Sequence, residues 1–172
     1  KTFIAGIVGI GLIILFMSFI YRLTGFISGL SILIYTCLVF SIFWLIDGVL
    51  TLPSIASLVL GIGMAIDASV LSFERIKEEL WDGKSLFRAF SNGYKRSFIT
   101  ILDANITTFI VAVILFIFGE SSVKGFATML IITIIVTLLV MVFITKFILS
   151  RFIKTKFFNK RTKLFINVNQ DD

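Results

Sequence analysis

Apolar residues run in five long stretches separated by short polar breaks. The stretches fall at roughly 2–20, 26–46, 53–73, 97–118 and 125–149. Each is close to the ~20 residues a helix needs to cross a bilayer. Three of the four connections are short, YRLTG, DGVLTL and GESSVK, and short connections imply antiparallel neighbours. The pattern predicts an all-α membrane protein, with a five-helix transmembrane domain over 1–150 and a basic tail over 151–172.

The remaining connection, 74–96, is long and charged. Pro53 opens the helix before it, where a missing N–H costs nothing. Gly83 breaks the connection after IKEELWD, and Ser85 is placed to cap a second short helix, LFRAFSNGY. There Leu86, Ala89, Phe90 and Gly93 fall at helical spacing, with Lys84, Arg88, Lys95 and Arg96 nearby. That arrangement predicts an amphipathic helix lying in the cytoplasmic interface. Trp81 and Tyr94 are the aromatic anchors expected at that depth.

Composition agrees. The chain has 172 residues, 58% hydrophobic and only 15% charged, whereas soluble domains carry about a quarter charged residues. The net charge is +6, but the basic residues sit beside apolar spans. They read as membrane-flanking charge, not as a nucleic-acid surface. Fourteen of the 16 lie on one side, at Arg22, in 74–96 and from Lys146 onward, leaving Lys1 and Lys124 on the other. The long connection and the C-terminus are therefore expected in the cytoplasm and the N-terminus outside. The tail RFIKTKFFNKRTKLFINVNQDD alternates basic and aromatic residues, and attraction to anionic lipid is expected of it before RNA binding. The chain starts at Lys1, without the charged n-region and cleavage site of a signal peptide, and reads as a piece of a longer protein.

Cys37 stands alone and there is no histidine. An internal disulfide is excluded, a thiol metal site is not expected, and neutral-pH proton chemistry falls to other groups. Two enzyme-like signals fail. Gly83-Lys84-Ser85 resembles a phosphate loop, but the earlier glycine that motif needs falls at Glu78. Gly61-Ile62-Gly63 is followed by Met64, not by the Asp of an intramembrane aspartyl protease. No catalysis and no cofactor are expected.

One carboxylate, Asp67, lies well inside the third stretch, seven residues before Glu74, or roughly 10 Å from the charged end at 1.5 Å per residue. The next helix runs back outward and carries Asp103 six residues past Ser97, at a similar depth. Thr100 and Thr107 share its face and Asn105 lies in the same turn. Intramembrane carboxylates are costly and mark functional sites. Desolvation and a second carboxylate both raise a carboxyl pKa, so such a group can be neutral and then exchange a proton when water reaches it. The competing expectation is a pair of protonated acids that merely holds helices together. Glu74 and Arg75 stand at the mouth, as a proton exit or as a plain helix terminus. Ser54, Ser57, Gly61, Ala65, Ala68 and Ser72 form a stripe of small residues, which predicts close helix packing.

Three blocks carry a family resemblance: LTLPSIASLVLGIGMAIDASVLSFERIKEEL, GKSLFRAFSNGYKRSFITILDANITT and LFIFGESSVKGFATMLIITII. They resemble the membrane part of the SecD/SecF protein-export family within the RND superfamily, on its SecD side. The AIDAS…FERI block separates it from SecF-type sequences. The resemblance implies half of an RND-type bundle, partnered by a SecF half, fused or separate, and by the SecYEG channel. It implies assistance to preprotein export driven by the proton-motive force, with Asp67 in proton coupling and a preceding helix and extracytoplasmic domain elsewhere. Ser69 stands where the family usually has Asn; it is expected to support Asp67 with a hydrogen-bonding hydroxyl, without the tuning that the amide would give. A second reading is an RND-type exporter of lipid or small molecules. A third is a membrane anchor without proton traffic.

Overall fold

The computed structural model describes residues 2–153, with the side chains of 2–7, 10, 23, 141, 142, 152 and 153 left aside. The expected tail, 151–172, therefore lies almost wholly outside the described residues. The described chain is helical: α1 (Thr2–Leu45), α2 (Leu52–Trp81), α3 (Leu86–Phe118), α4 (Ser121–Thr137), a π-helical stretch (Leu138–Ile144) and α5 (Thr145–Ile153).

α1 holds the first two predicted spans in one element. Arg22, at φ 50° and ψ −120°, is the non-helical residue between its two arms. Gly25 lies directly against the Met17 carbonyl, and a Cβ on Gly29 would stand 2.8 Å from the Ile14 side chain. The arms therefore double back on one another, and only glycine fits where they touch. The expected loop YRLTG contracts to a one-residue reversal. The second arm (Thr24–Leu45), α2, α3 and the helix from Ser121 to Arg151 are each long and apolar enough to cross a membrane; Gly11–Arg22 is a shorter apolar helix.

α2 begins at an N-cap, Thr51, whose hydroxyl accepts from the Ser54 N–H at 3.4 Å, with Pro53 in the first turn. It does not stop at the charged connection but continues to Trp81. α3 likewise starts at Leu86, so the turn between them is 82–85, closed by Gly83 at φ +75°. No separate interfacial helix forms among the described residues: LFRAFSNGY is the opening of α3. Leu86, Ala89, Phe90, Gly93 and Tyr94 are buried because they pack on the end of α2 and not on a membrane surface. Gly93 permits this, since a Cβ there would stand 2.8 Å from the backbone N of Ile76.

The stripe of small residues is the packing face of α2. Ser54, Ser57, Gly61, Ala65, Ala68 and Ser72 are all buried. A Cβ at Gly61 would come within 2.5 Å of the Thr133 side chain on α4 and 2.6 Å of the Tyr35 hydroxyl on α1. Close approach of backbones is what small residues supply in lipid, where no hydrophobic force drives helices together. One core cluster lies at the charged end, built on Met17, Tyr21, Phe73, Ile76, Phe90 and Leu149. A second fills the middle, around Tyr35, Leu58, Ala65, Ile101, Met129 and Val136.

Candidate functional site

The depth of the two carboxylates is set by how α2 and α3 pair. The Ser72 hydroxyl donates to Ser97 Oγ at 3.1 Å, and Ile76 lies against Gly93. In this antiparallel register Asp67 stands level with about residue 102 of α3, one position from Asp103. The two carboxylates share a depth, as their spacing implied.

Both are exposed on the outer surface of the bundle. Among the described residues neither enters an ion pair. Asp67 lies on the side of α2 opposite the small-residue stripe. Beside it Gly63 leaves open space, with nothing within 4 Å of its Cβ position.

α3 has two different outward flanks. Successive helical residues turn by about 100°, which places Arg96, Thr100, Asp103 and Thr107 in one polar row, all exposed. Arg96 reaches back to α2 through Glu79, so this row flanks α2, the helix of Asp67. The Thr107 hydroxyl donates to the backbone carbonyl of Asp103 at 3.1 Å, not to its carboxylate. The other flank is apolar, with Phe87, Phe98, Phe109 and Phe116 exposed.

Two expected neighbours point elsewhere. Asn105 is two residues from Asp103, which puts it on the opposite side of α3. It is buried, donating to the Ile101 carbonyl at 2.7 Å while its Oδ1 finds no partner. Ser69 is two residues from Asp67 and is likewise turned inward, donating to the Ala65 carbonyl at 3.2 Å. Neither reaches its carboxylate by this geometry.

At the charged end, Glu74 accepts from the Tyr21 hydroxyl at 2.7 Å and from Lys77 at 3.1 Å, with the Lys77 ammonium 5.2 Å from the Tyr21 ring centre. Arg75 pairs with Glu78 at 2.8 Å. Both mouth residues are thus engaged in local structure, and Glu74 also ties α2 to the α1 hairpin beside Arg22.

A residue that sequence reasoning missed is Glu79. Its carboxylate is 1% exposed and accepts from Lys84 at 2.6 Å, Asn92 at 3.0 Å and Arg96 at 2.9 Å. It clamps the 82–85 turn and the first turns of α3 onto the end of α2. The available signal was an acidic residue on the stripe side of α2, three residues before the turn, with Lys84, Arg88, Lys95 and Arg96 following it in sequence. Among the described residues no group of His, Cys, Asp and Glu gathers as a metal site.

The family described as protein export membrane protein SecD/SecF, C-terminal, matches residues 1–155. The protein translocase subunit SecDF of Bacillus subtilis is 51% identical over 164 residues, covering 95% of this chain and 22% of that protein. The SecD subunit of Leptotrichia buccalis is 44% identical, over 96% of this chain and 41% of its own length. The chain thus spans about a fifth to two fifths of these relatives. A crystal structure of SecDF in a super-membrane-facing form superposes with a TM-score of 0.84 at 34% identity, over 88% of this chain and 21% of that one. That of SecDF from Thermus thermophilus gives 0.80 at 36%, over 84% and 20%. A multi-pass helical bundle with this match over most of its length belongs to the SecD/SecF family of protein-export membrane proteins.

Proposed function

We propose that the chain is the SecD-type half of a membrane machine that assists preprotein export and draws on the proton-motive force. The observation that carries this is the pair Asp67 and Asp103, level with each other and exposed on the outer surface of an apolar bundle. Carboxylates at such a depth are not stable against acyl chains. They call for a protein partner that completes the surface, and the fused SecDF relatives make a SecF half the natural one. Enclosed between halves, Asp67 would lose water and meet a second acid, both of which favour its neutral form. Access to water from one side then the other would let it take up and release a proton. Helix movements between those states would be a population shift biased by protonation.

In this reading Asp67 carries the proton, and Asp103, with Thr100 and Thr107, sets its hydration. Glu74 and Arg75 close the cytoplasmic end, and the N-terminus lies outside. The SecYEG channel and preproteins are the partners, the proton gradient stands where a cofactor would, and no covalent chemistry is performed.

The test is preprotein export driven by a pH gradient, in the full-length protein and its Asp67→Asn variant at matched membrane levels. Asn keeps size and polarity but does not titrate. Loss of gradient dependence with an intact complex supports the assignment. Gradient-dependent export that persists in the variant moves the proton elsewhere. Export that is unaffected, with only assembly disturbed, leaves a structural anchor. Efflux of a small molecule in place of preprotein release would instead favour an RND-type exporter.

A further inference from the structure

Between its polar and its phenylalanine flank, α3 carries a further outward row. Arg88, Lys95, Ile99, Ile106 and Ile110 recur at intervals of seven and four residues and form one row, all exposed. Exposed Phe98 and Phe109 border the row, while the polar row with Asp103 lies on the opposite side of it. From Ile99 to Ile110 the row runs eleven residues, about 16 Å at the helical rise. That matches one leaflet of a hydrocarbon core roughly 30 Å thick.

The cations at its end are unlike their neighbours. In 74–96 there are six, Arg75, Lys77, Lys84, Arg88, Lys95 and Arg96. Arg75 pairs with Glu78, Lys77 with Glu74, and Lys84 and Arg96 with Glu79. Among the described residues Arg88 and Lys95 have no carboxylate partner. They stand about 10 Å apart along one helix face, close enough for two long, flexible side chains to converge on one anion. Trp81, 64% exposed, and Phe87, 60% exposed, lie at the same end, at the depth where aromatic rings sit in the interface.

We propose that Arg88 and Lys95 bind the headgroup phosphate of an anionic phospholipid, whose acyl chains lie along Ile99, Ile106 and Ile110 between Phe98 and Phe109. The ligand is a lipid because the two cations end an apolar surface of leaflet length, made by Ile99, Ile106 and Ile110 with Phe98 and Phe109 beside them. A soluble acidic peptide would neutralise the charges and leave the row uncovered. Asp103, four residues after Ile99 and three before Ile106, borders the row on its α2 side, so the acyl chains lie on the side of Phe98 and Phe109 and the carboxylate stays with the α2 face.

The experiment uses delipidated full-length protein in detergent, with binding of dioleoylphosphatidylglycerol, dioleoylphosphatidylcholine and glycerol 3-phosphate measured separately. The first is expected to bind most tightly. The double variant Arg88→Gln, Lys95→Gln should weaken it by roughly tenfold or more, since each basic residue near an anionic surface contributes on the order of several-fold. The charge-keeping swap Arg88→Lys, Lys95→Arg should retain most of the affinity. Each single Gln variant should lose part of it, which preserves the test if the double variant does not fold. Unchanged phosphatidylglycerol binding in the Gln variants overturns the proposal. So does equal binding of phosphatidylcholine. Glycerol 3-phosphate binding as tightly as the lipid would show a free-anion site, and equal loss in the charge-keeping swap would show altered structure; either overturns it.

Discussion

Ser72 of α2 and Ser97 of α3 share a hydrogen bond of 3.1 Å across the apolar core near its charged end. It is the polar marker of the register that brings Asp67 and Asp103 to one depth. Ser97 donates its own proton to the Tyr94 carbonyl, and the single Ser72 proton is shared between Ser97 Oγ and the Ala68 carbonyl, so neither depends wholly on the other. Replacing Ser72 with Ala should cost little, about 1 kcal/mol or less. Replacing it with Leu should force α2 from α3 and cost about 1–3 kcal/mol. Thermal unfolding of the detergent-solubilised protein separates the two.

Gly61 and Gly63 are two residues apart and should respond oppositely. A Cβ at Gly61 meets Thr133 at 2.5 Å and Tyr35 at 2.6 Å, whereas one at Gly63 meets nothing within 4 Å. Gly61→Ala is expected to destabilise by about 1–3 kcal/mol. Gly63→Ala is expected to be neutral or to stabilise, by up to about 1 kcal/mol from helix propensity. Unfolding midpoints of the isolated half test both; loss on assembly in Gly63→Ala alone would show that a partner occupies the open space beside Asp67.

The Glu79 clamp predicts an order between the two acidic residues three and four positions before the turn. Glu79→Ala strands two cations and an amide, and should lower the unfolding midpoint more than Glu78→Ala, whose exposed carboxylate pairs with Arg75 alone. Proteolysis of the 82–85 turn should also quicken in Glu79→Ala and not in Glu78→Ala. Equal effects would mean that the clamp does not hold the turn.

Tyr21→Phe removes the hydroxyl that donates to Glu74 and leaves the Lys77 pair in place. It should cost about 1 kcal/mol. Tyr21→Ala also removes the ring packed against Phe73 at 5.4 Å and should cost about 3–5 kcal/mol. Comparable losses in thermal unfolding would show that the hydroxyl, not the ring, anchors the α1 hairpin.

The apolar runs told where the long helices lie, because an apolar helix needs only length and composition to be read. They told less about where helices end. The charges after Phe73 read as a loop, yet α2 continues to Trp81, since Glu74–Lys77 and Arg75–Glu78 are pairs that a helix can hold at i and i+3. The interfacial helix was misplaced for the same reason: Leu86, Ala89, Phe90 and Gly93 do form an apolar face, but it meets α2. The depth of Asp67 and Asp103 was legible from residue spacing. Their outward aspect was also latent there, since Asp67 lies across the helix from the stripe that begins at Ser54. Asn105 joins Asp103 by proximity in sequence and Ser69 joins Asp67 by the family resemblance, and a two-residue step on a helix undoes both groupings. Glu79 was hidden because its partners, Asn92 and Arg96, join it only once the turn closes.

The one-residue reversal at Arg22 fixes the phase of α1 as well as its direction. Tyr21, on the first arm, reaches Glu74; Tyr35, on the second, reaches Gly61. Both seatings are measured from the same residue, with no spare backbone between. A single inserted residue there would rotate one arm by about 100° against the other, so that one tyrosine could keep its seat only if the other left it. The hairpin works as a ruler as much as a bend, and its length tolerates less change than its sequence.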